Sequence, residues 1–142
     1  RLKLKFNNTR ITLTKVEEAQ KVIWDESRIA LQKVCEQILQ YAQNTEDFTL
    51  LQPLPEILTE VSGALLFMES EQGYNILQKA TRVLEQIIAQ NKILTAEQLF
   101  LLANTVMSAD FFFEQLQQQQ PFIANAMNVG SESIAALEKA VA

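Results

Sequence analysis

The sequence predicts an all-α fold, in which an up-down four-helix bundle carries an extra C-terminal helix. Three observations support this prediction. Apolar residues recur at intervals of three and four along most of the chain, which is the spacing of one helix face. The segments between these periodic stretches are short, and short connections favour antiparallel neighbours. A chain of 142 residues suits one domain, because it buries enough surface to be stable without a metal or a disulfide.

The first 14 residues, RLKLKFNNTRITLT, depart from the helical pattern. Apolar residues alternate with cations and polar residues on both sides of Asn7-Asn8, which predicts a short hairpin around a two-residue turn. Two strands alone are only marginally stable, so a second interpretation stays open. In it, residues 1–14 are an extended boundary segment ordered by neighbours outside this sequence, and the bundle comprises residues 15–142.

A capping box, Thr14-Lys15-Val16-Glu17, predicts the start of a first helix over residues 15–43. Its predicted core stripe consists of Val16, Ala19, Ile23, Ala30, Val34, Ile38 and Tyr41. Pro55 suits the first turn of a second helix, predicted over 56–68. The predicted core stripe of that helix consists of Ile57, Val61, Ala64 and Met68, with Leu58 and Leu65 beside it.

The third and fourth helices are predicted from the same period and from their end signals. The third covers residues 72–91, and Asn91 is its predicted stop because Asn tolerates the left-handed backbone of a helix end. A second capping box, Thr95-Ala96-Glu97-Gln98, opens a fourth helix over residues 96–118.

The end of the fourth helix and the fifth helix hold two irregular features. Phe111 and Phe112 cannot both lie on the core face of the fourth helix, so this helix presents an aromatic side chain to a second surface. Pro121 can open the fifth helix. The helical pattern then runs through Gly130, which either kinks this helix or divides it in two.

The composition excludes several kinds of chemistry. The chain has no His and one Cys, so it holds no Ser-His or Cys-His nucleophile pair, no His-bearing metal site and no intramolecular disulfide. We therefore expect no cofactor and no metal. The first fifteen residues hold five cations and no acid, and the remainder holds 17 acids against 7 cations. Because this acidic body repels phosphate backbones, we expect no nucleic-acid partner.

The apolar runs are short. None approaches the roughly eighteen uninterrupted apolar residues of a membrane span, and no secretory signal is visible. We therefore expect a cytoplasmic location without membrane insertion. The chain begins at Arg1 rather than Met, so we also expect it to be a piece of something longer.

The second helix carries the candidate site on the side opposite its core stripe. Thr59, Gly63 and Leu66 lie on that side, and Phe67 lies at its margin. A glycine inside a helix costs about 1 kcal/mol relative to alanine, so Gly63 predicts either close packing by another helix or docking of a partner.

The string from Leu58 to Leu65 resembles the phosphorylation helix of histidine-phosphotransfer domains, whose signature is a His, three residues, a Gly and a small residue. Thr59 stands at the His position, Gly63 matches the Gly and Ala64 matches the small residue.

Two downstream stretches, from Leu101 to Leu116 and from Val129 to Leu137, sharpen this resemblance. They are similar to the phosphotransfer-like repeats at the front of the large chemotaxis-type histidine kinase that governs type IV pili and twitching motility. A shorter relative of that region is a scaffold without catalytic domains. The resemblance covers about residues 15–140, and the departures are Asn104 for an acid and Phe113 for a Leu.

The resemblance implies a bundle of the histidine-phosphotransfer type that binds the receiver domain of a response regulator, a polar hub protein, or both. It also implies a location at the cell pole. We predict a docking face of Thr59, Gly63, Leu66 and Phe67. Thr59 does not simply replace His, because a hydroxyl is a poor nucleophile without an activating base. We therefore predict a non-catalytic scaffold.

Two alternatives stay open: a threonine-bearing phosphotransfer domain of the pilus kinase, and a purely architectural bundle within a multidomain kinase.

Three other features have structural interpretations. Asp110 and Glu114, one turn apart, are interpreted as a solvated face rather than a catalytic pair. Trp24 and Tyr41 are interpreted as core or rim packing, and Cys35 as a buried small apolar residue.

Overall fold

The fold is a five-helix bundle. The structure, a computed structural model, describes residues 2–68, 70–117 and 124–142, and it describes side chains within 15–68, 70–115 and 127–142. The helices are α1 (Leu2–Gln43), α2 (Leu54–Phe67), α3 (Glu71–Gln90), α4 (Ala96–Gln117) and α5 (Ala124–Val141), with a 3-10 turn at Phe48–Leu50 before α2. No strand occurs within the described ranges, and the predicted all-α class is confirmed.

The predicted hairpin, or extended segment, at the N-terminus is wrong, because α1 is a single helix that begins at Leu2. Thr14 therefore lies inside α1, and the first capping box does not mark a helix start. Leu, Lys and Arg are good helix formers, and no Gly or Pro interrupts residues 2–43, so the backbone keeps its helical register. The division into a segment 1–14 and a domain 15–142 stays a prediction.

The predicted end of α3 and the predicted start of α4 are confirmed by their hydrogen bonds. Asn91 adopts the left-handed conformation, with φ 49°, and stops α3. The N–H of Lys92 donates to the carbonyl of Ile87 at 3.1 Å, which closes the helix end. At the start of α4, the Gln98 side chain accepts from the N–H of Thr95 at 3.0 Å, and the Thr95 hydroxyl accepts from the N–H of Gln98 at 3.2 Å.

Neighbouring helices run antiparallel. Trp24 near the middle of α1 donates its indole N–H to the sulfur of Met68 at the far end of α2. Arg28, in the middle of α1, bonds to Asp110 in the second half of α4. Tyr41, near the end of α1, bonds to Leu94 just before α4 begins, so α1 and α4 run in opposite directions. The helix α1 thus packs between α2 and α4.

The C-terminal helix α5 packs against α3 and α4. Its last carbonyl groups are bound by side chains from both neighbours and from the loop between them. The Lys92 ammonium and the Gln86 amide donate to the carbonyl of Val141 at 2.8 and 3.3 Å, and the Gln98 amide donates to that of Ala140 at 3.3 Å. These bonds satisfy acceptors that a helix end leaves open. The predicted extra helix on one side of the bundle is confirmed.

Gly130 neither divides nor interrupts α5, which is one helix from Ala124 to Val141. It is buried at the crossing with α4, where an added Cβ would lie 2.6 Å from the hydroxyl oxygen of Ser108. The predicted role of Pro121 in opening this helix falls outside the described residues.

The core lies where the helices face one another. Of the stripe predicted on α1, Val34, Ile38 and Tyr41 are fully or nearly fully buried, whereas Val16 and Ala19 are exposed. On α2, burial is centred on Leu58 and Leu65 rather than on the predicted Ile57, Ala64 and Met68, which are half-buried. This shift follows from packing, because α2 lies between α1 on one flank and α3 on the other. None of the described helices is long and apolar enough to cross a membrane.

Candidate functional site

The outward face of α2 presents all four predicted docking residues to solvent. Thr59 and Gly63 are exposed, Leu66 is 49% exposed and Phe67 is 62% exposed. These positions span a little over two helical turns, on the sides of α2 that turn away from the buried Leu58 and Leu65. Two large apolar side chains near a glycine thus face water, although α2 already buries its core face within the bundle.

None of the described helices packs closely against Gly63. An added Cβ at this position would meet no atom within 4 Å, and its φ is not positive. Of the two explanations predicted from the sequence, close packing by another helix is therefore wrong. Docking of a partner remains a prediction.

Thr59 has a hydroxyl that is already engaged. Its Oγ1 donates to the backbone carbonyl of Pro55, one turn earlier, at 2.8 Å. Such a bond to the preceding turn is common for Thr in a helix and uses the hydroxyl proton. With no His in the chain, no imidazole is present to take that proton.

An open groove of about 680 Å³ lies beside Thr59, between α2 and α3. Three of the residues that line it are acids, Glu56, Glu60 and Glu85. Negative charge of this density disfavours a phosphate group at the Thr59 hydroxyl and favours a partner with cations.

Ser62 links the outward face of α2 to α3 by hydrogen bonds. Its buried hydroxyl donates to the carbonyl of Thr59 at 2.8 Å and accepts from the Gln78 side-chain amide at 3.0 Å. The backbone under the outward face is thus held by a hydrogen bond from the neighbouring helix.

Asp110 and Glu114 both pair with Arg28 of α1, so the prediction that they are a solvated face is wrong. Arg28 of α1 donates to Asp110 at 3.1 Å and lies 3.8 Å from Glu114, with all three side chains partly buried. The hydrogen bond to Asp110 raises the pKa of the Arg28 guanidinium, and nearby carboxylates raise it further, against partial burial. Both carboxylates thus pair with Arg28 where α1 packs on α4.

Trp24 and Tyr41 of α1 serve packing, as predicted. Tyr41 is fully buried, its ring lies 6.1 Å from that of Phe48, and its hydroxyl accepts from the N–H of Leu94 at 3.4 Å. Trp24 is partly buried and packs on the core.

Cys35 is half-buried against the core, and burial, with a smaller contribution from Asp110, raises the pKa of its thiol to about 11. A thiol with this pKa is almost wholly protonated at neutral pH.

We expect iodoacetamide to alkylate Cys35 in the folded chain at least about tenfold more slowly than it alkylates a small free thiol at pH 7.5. The rate should still climb with pH beyond pH 9. A plateau near pH 9, measured by mass spectrometry under conditions where circular dichroism shows the fold intact, would contradict the raised pKa.

A second set of exposed apolar side chains was not predicted as a site. It comprises Ile29 and Leu39 on α1 and Phe100, Met107 and Phe111 on α4, two helices that pack against each other, and we name it the α1/α4 face. The one sequence signal was the pair Phe111 and Phe112, of which the structure buries Phe112 and exposes Phe111. Among the described residues, no group of acids and Cys is arranged to hold a metal ion.

A family model described as the FimL C-terminal domain matches residues 14–134 of the chain. No curated protein and no solved structure matches. The match connects the chain with pilus-associated signalling in the chemotaxis-like system of type IV pili.

Proposed function

Since the chain belongs to the FimL C-terminal domain family, we propose that it is a non-catalytic docking domain that binds a response-regulator receiver, a polar hub protein, or both. In this proposal it resembles a histidine-phosphotransfer bundle in shape and acts in the signalling that controls twitching motility. It works in the cytoplasm, and binding to the hub brings it to the cell pole. The observation that carries the proposal is the outward face of α2.

Burial of the exposed apolar side chains of α2 would stabilise a complex. Leu66 is 49% and Phe67 62% exposed, so each gains free energy when a partner removes its apolar surface from water. Gly63 between them and Thr59 leaves a shallow space that a partner's side chain can enter. Aromatic anchors next to such a space are typical of binding hot spots.

The surroundings favour binding over phosphoryl transfer. A transfer through Thr59 requires a base to take the hydroxyl proton, and that proton is donated to Pro55. The groove beside it carries Glu56, Glu60 and Glu85, which repel a phosphoryl group. These acids favour a partner surface that combines apolar groups with cations.

The test is binding of the full chain to each receiver domain of the source organism, with and without a phosphoryl analogue. We expect Gly63→Arg to weaken the productive complex at least about tenfold, because its long side chain fills the space that the glycine leaves open. Phe67→Ala should weaken it about five- to thirtyfold, which corresponds to about 1–2 kcal/mol.

The matched control is Ile93→Ala, which removes a similarly exposed apolar side chain from the loop between α3 and α4. Binding that survives Gly63→Arg in a chain with unchanged helicity would place the docking surface elsewhere. Transfer of labelled phosphate to the chain, lost in Thr59→Ala, would instead support a phosphocarrier.

A further inference from the structure

The helix α1 is much longer than the bundle it belongs to. It has 42 residues against 22 in α4, and at 1.5 Å per residue the difference is about 30 Å. Contacts with other helices begin near Ile23 and Trp24, whereas residues 15–22 are exposed apart from half-buried Gln20. The first half of α1 therefore extends past the bundle.

This extension ends in a strongly basic segment. Residues 1–15 hold five cations and no acid, together with the apolar residues Leu2, Leu4, Phe6, Ile11 and Leu13. An isolated helical stretch of this length is only marginally stable in water, so packing against another surface would stabilise it.

The α1/α4 face has the complementary chemistry. Ile29 and Leu39 are each 66% exposed, Phe100 is 63% exposed and Met107 is 57% exposed. The charged residues of α1 from 25 to 39 and of α4 from 97 to 114 are Asp25, Glu26, Arg28, Lys33, Glu36, Glu97, Asp110 and Glu114. Glu26 lines a groove against α2, so five acids stand against two cations on the rest of these stretches, and one of the cations, Arg28, is already bound to Asp110.

We propose that the α1/α4 face binds the basic N-terminal half of α1 from a second copy of this chain, in a symmetric dimer. A chain cannot fill its own face, because residues 2–14 continue the same helix away from it. When two copies of α1 lie antiparallel, each basic segment runs along the acidic, apolar face of the other.

The symmetry of this arrangement is closed. Residues near 2–16 of one copy lie beside residues near 28–41 of the other, so the two-fold axis passes close to Val22. Val22 is 53% exposed and lies seven residues before Ile29, on the same side of α1. The two copies of Val22 then cover one another, and both faces are occupied at once, as a two-fold interface requires.

The first test is the association state of the full chain by sedimentation equilibrium. We expect a dimer whose dissociation constant rises at high salt, because the pairing is partly electrostatic. The double variant Phe100→Glu, Met107→Glu should raise that constant at least about tenfold with unchanged helicity, since both side chains are exposed. Phe67→Glu, on the outward face of α2, should leave it unchanged. A chain that stays monomeric at the highest soluble concentration overturns the proposal, as does a dimer lost only in Phe67→Glu.

The second test exchanges charges. One variant carries Lys5→Glu and Arg10→Glu, and the other carries Glu36→Lys and Glu97→Lys. Each alone should dimerise at least about tenfold more weakly, because like charges meet in both copies of the interface. When mixed, the two should form a heterodimer, because opposite charges then meet at both ends. Failure of the mixture to associate, when each variant alone is monomeric and folded, contradicts this pairing. The outcome is independent of receiver binding.

Discussion

Gly130→Ala is expected to lower the free energy of unfolding by about 1–3 kcal/mol, because overpacking displaces well-packed neighbours. The added Cβ would lie 2.6 Å from Oγ and 2.9 Å from Cβ of Ser108, and the second of these belongs to a stiff part of α4. Rotation of the Ser108 hydroxyl relieves only the first contact. The two helices must therefore move apart where α5 packs on α4, and urea unfolding followed by circular dichroism measures the loss.

Gly63→Ala is the matched control, and its effect has the opposite sign. Both glycines lie inside helices, but a Cβ at Gly63 meets nothing within 4 Å. The higher helix propensity of alanine therefore decides the outcome, and the Gly63→Ala variant should be more stable by about 0.5–1 kcal/mol. Equal changes of the same sign would show that the crossing at Gly130 is looser than its contacts with Ser108 indicate. Gly63 thus lowers stability without relieving any contact, which is consistent with the docking role proposed for it.

Much of the fold could be predicted because local signals and the helical period agreed. The reciprocal bonds of Thr95 and Gln98, the left-handed Asn91 and the exposed face of α2 all follow from residues close in sequence. The position of Thr59 and Gly63 opposite the core stripe needed only the 100° rotation per residue. What the face binds is a property of a second molecule, and no periodicity within one chain determines it.

The failures have two causes: the one at the N-terminus is local, and the others depend on contacts distant in sequence. Alternation in RLKLKF is compatible with a strand, but an uninterrupted helical register through residue 43 prevails. Asp110 and Glu114 were expected in solvent because Arg28, their partner, lies 82 residues earlier in the chain than Asp110. The α1/α4 face is visible only when two helices that are far apart in sequence lie side by side.

Phe113→Ala is expected to have the largest effect on stability, about 3–5 kcal/mol, because it removes a large buried side chain and leaves a cavity. Phe113 is 0% exposed, lies among the core residues of α4 and meets the ring of Phe112 edge-on at 6.1 Å. The ring of Phe112 loses this edge contact as well as the packing around it.

Phe111→Ala provides the comparison within the same turn. Phe111 is 46% exposed, so its removal leaves no cavity and should change the free energy of unfolding by less than about 0.5 kcal/mol. The same variant should weaken the dimer if the α1/α4 face is its interface, so stability and association separate in one pair of substitutions. Unfolding must therefore be measured at low protein concentration, where dimerisation does not add to the stability of either variant. A loss at Phe111 as large as that at Phe113 would mean that the outer surface of α4 is covered within the single chain, which would remove the basis for the proposed dimer.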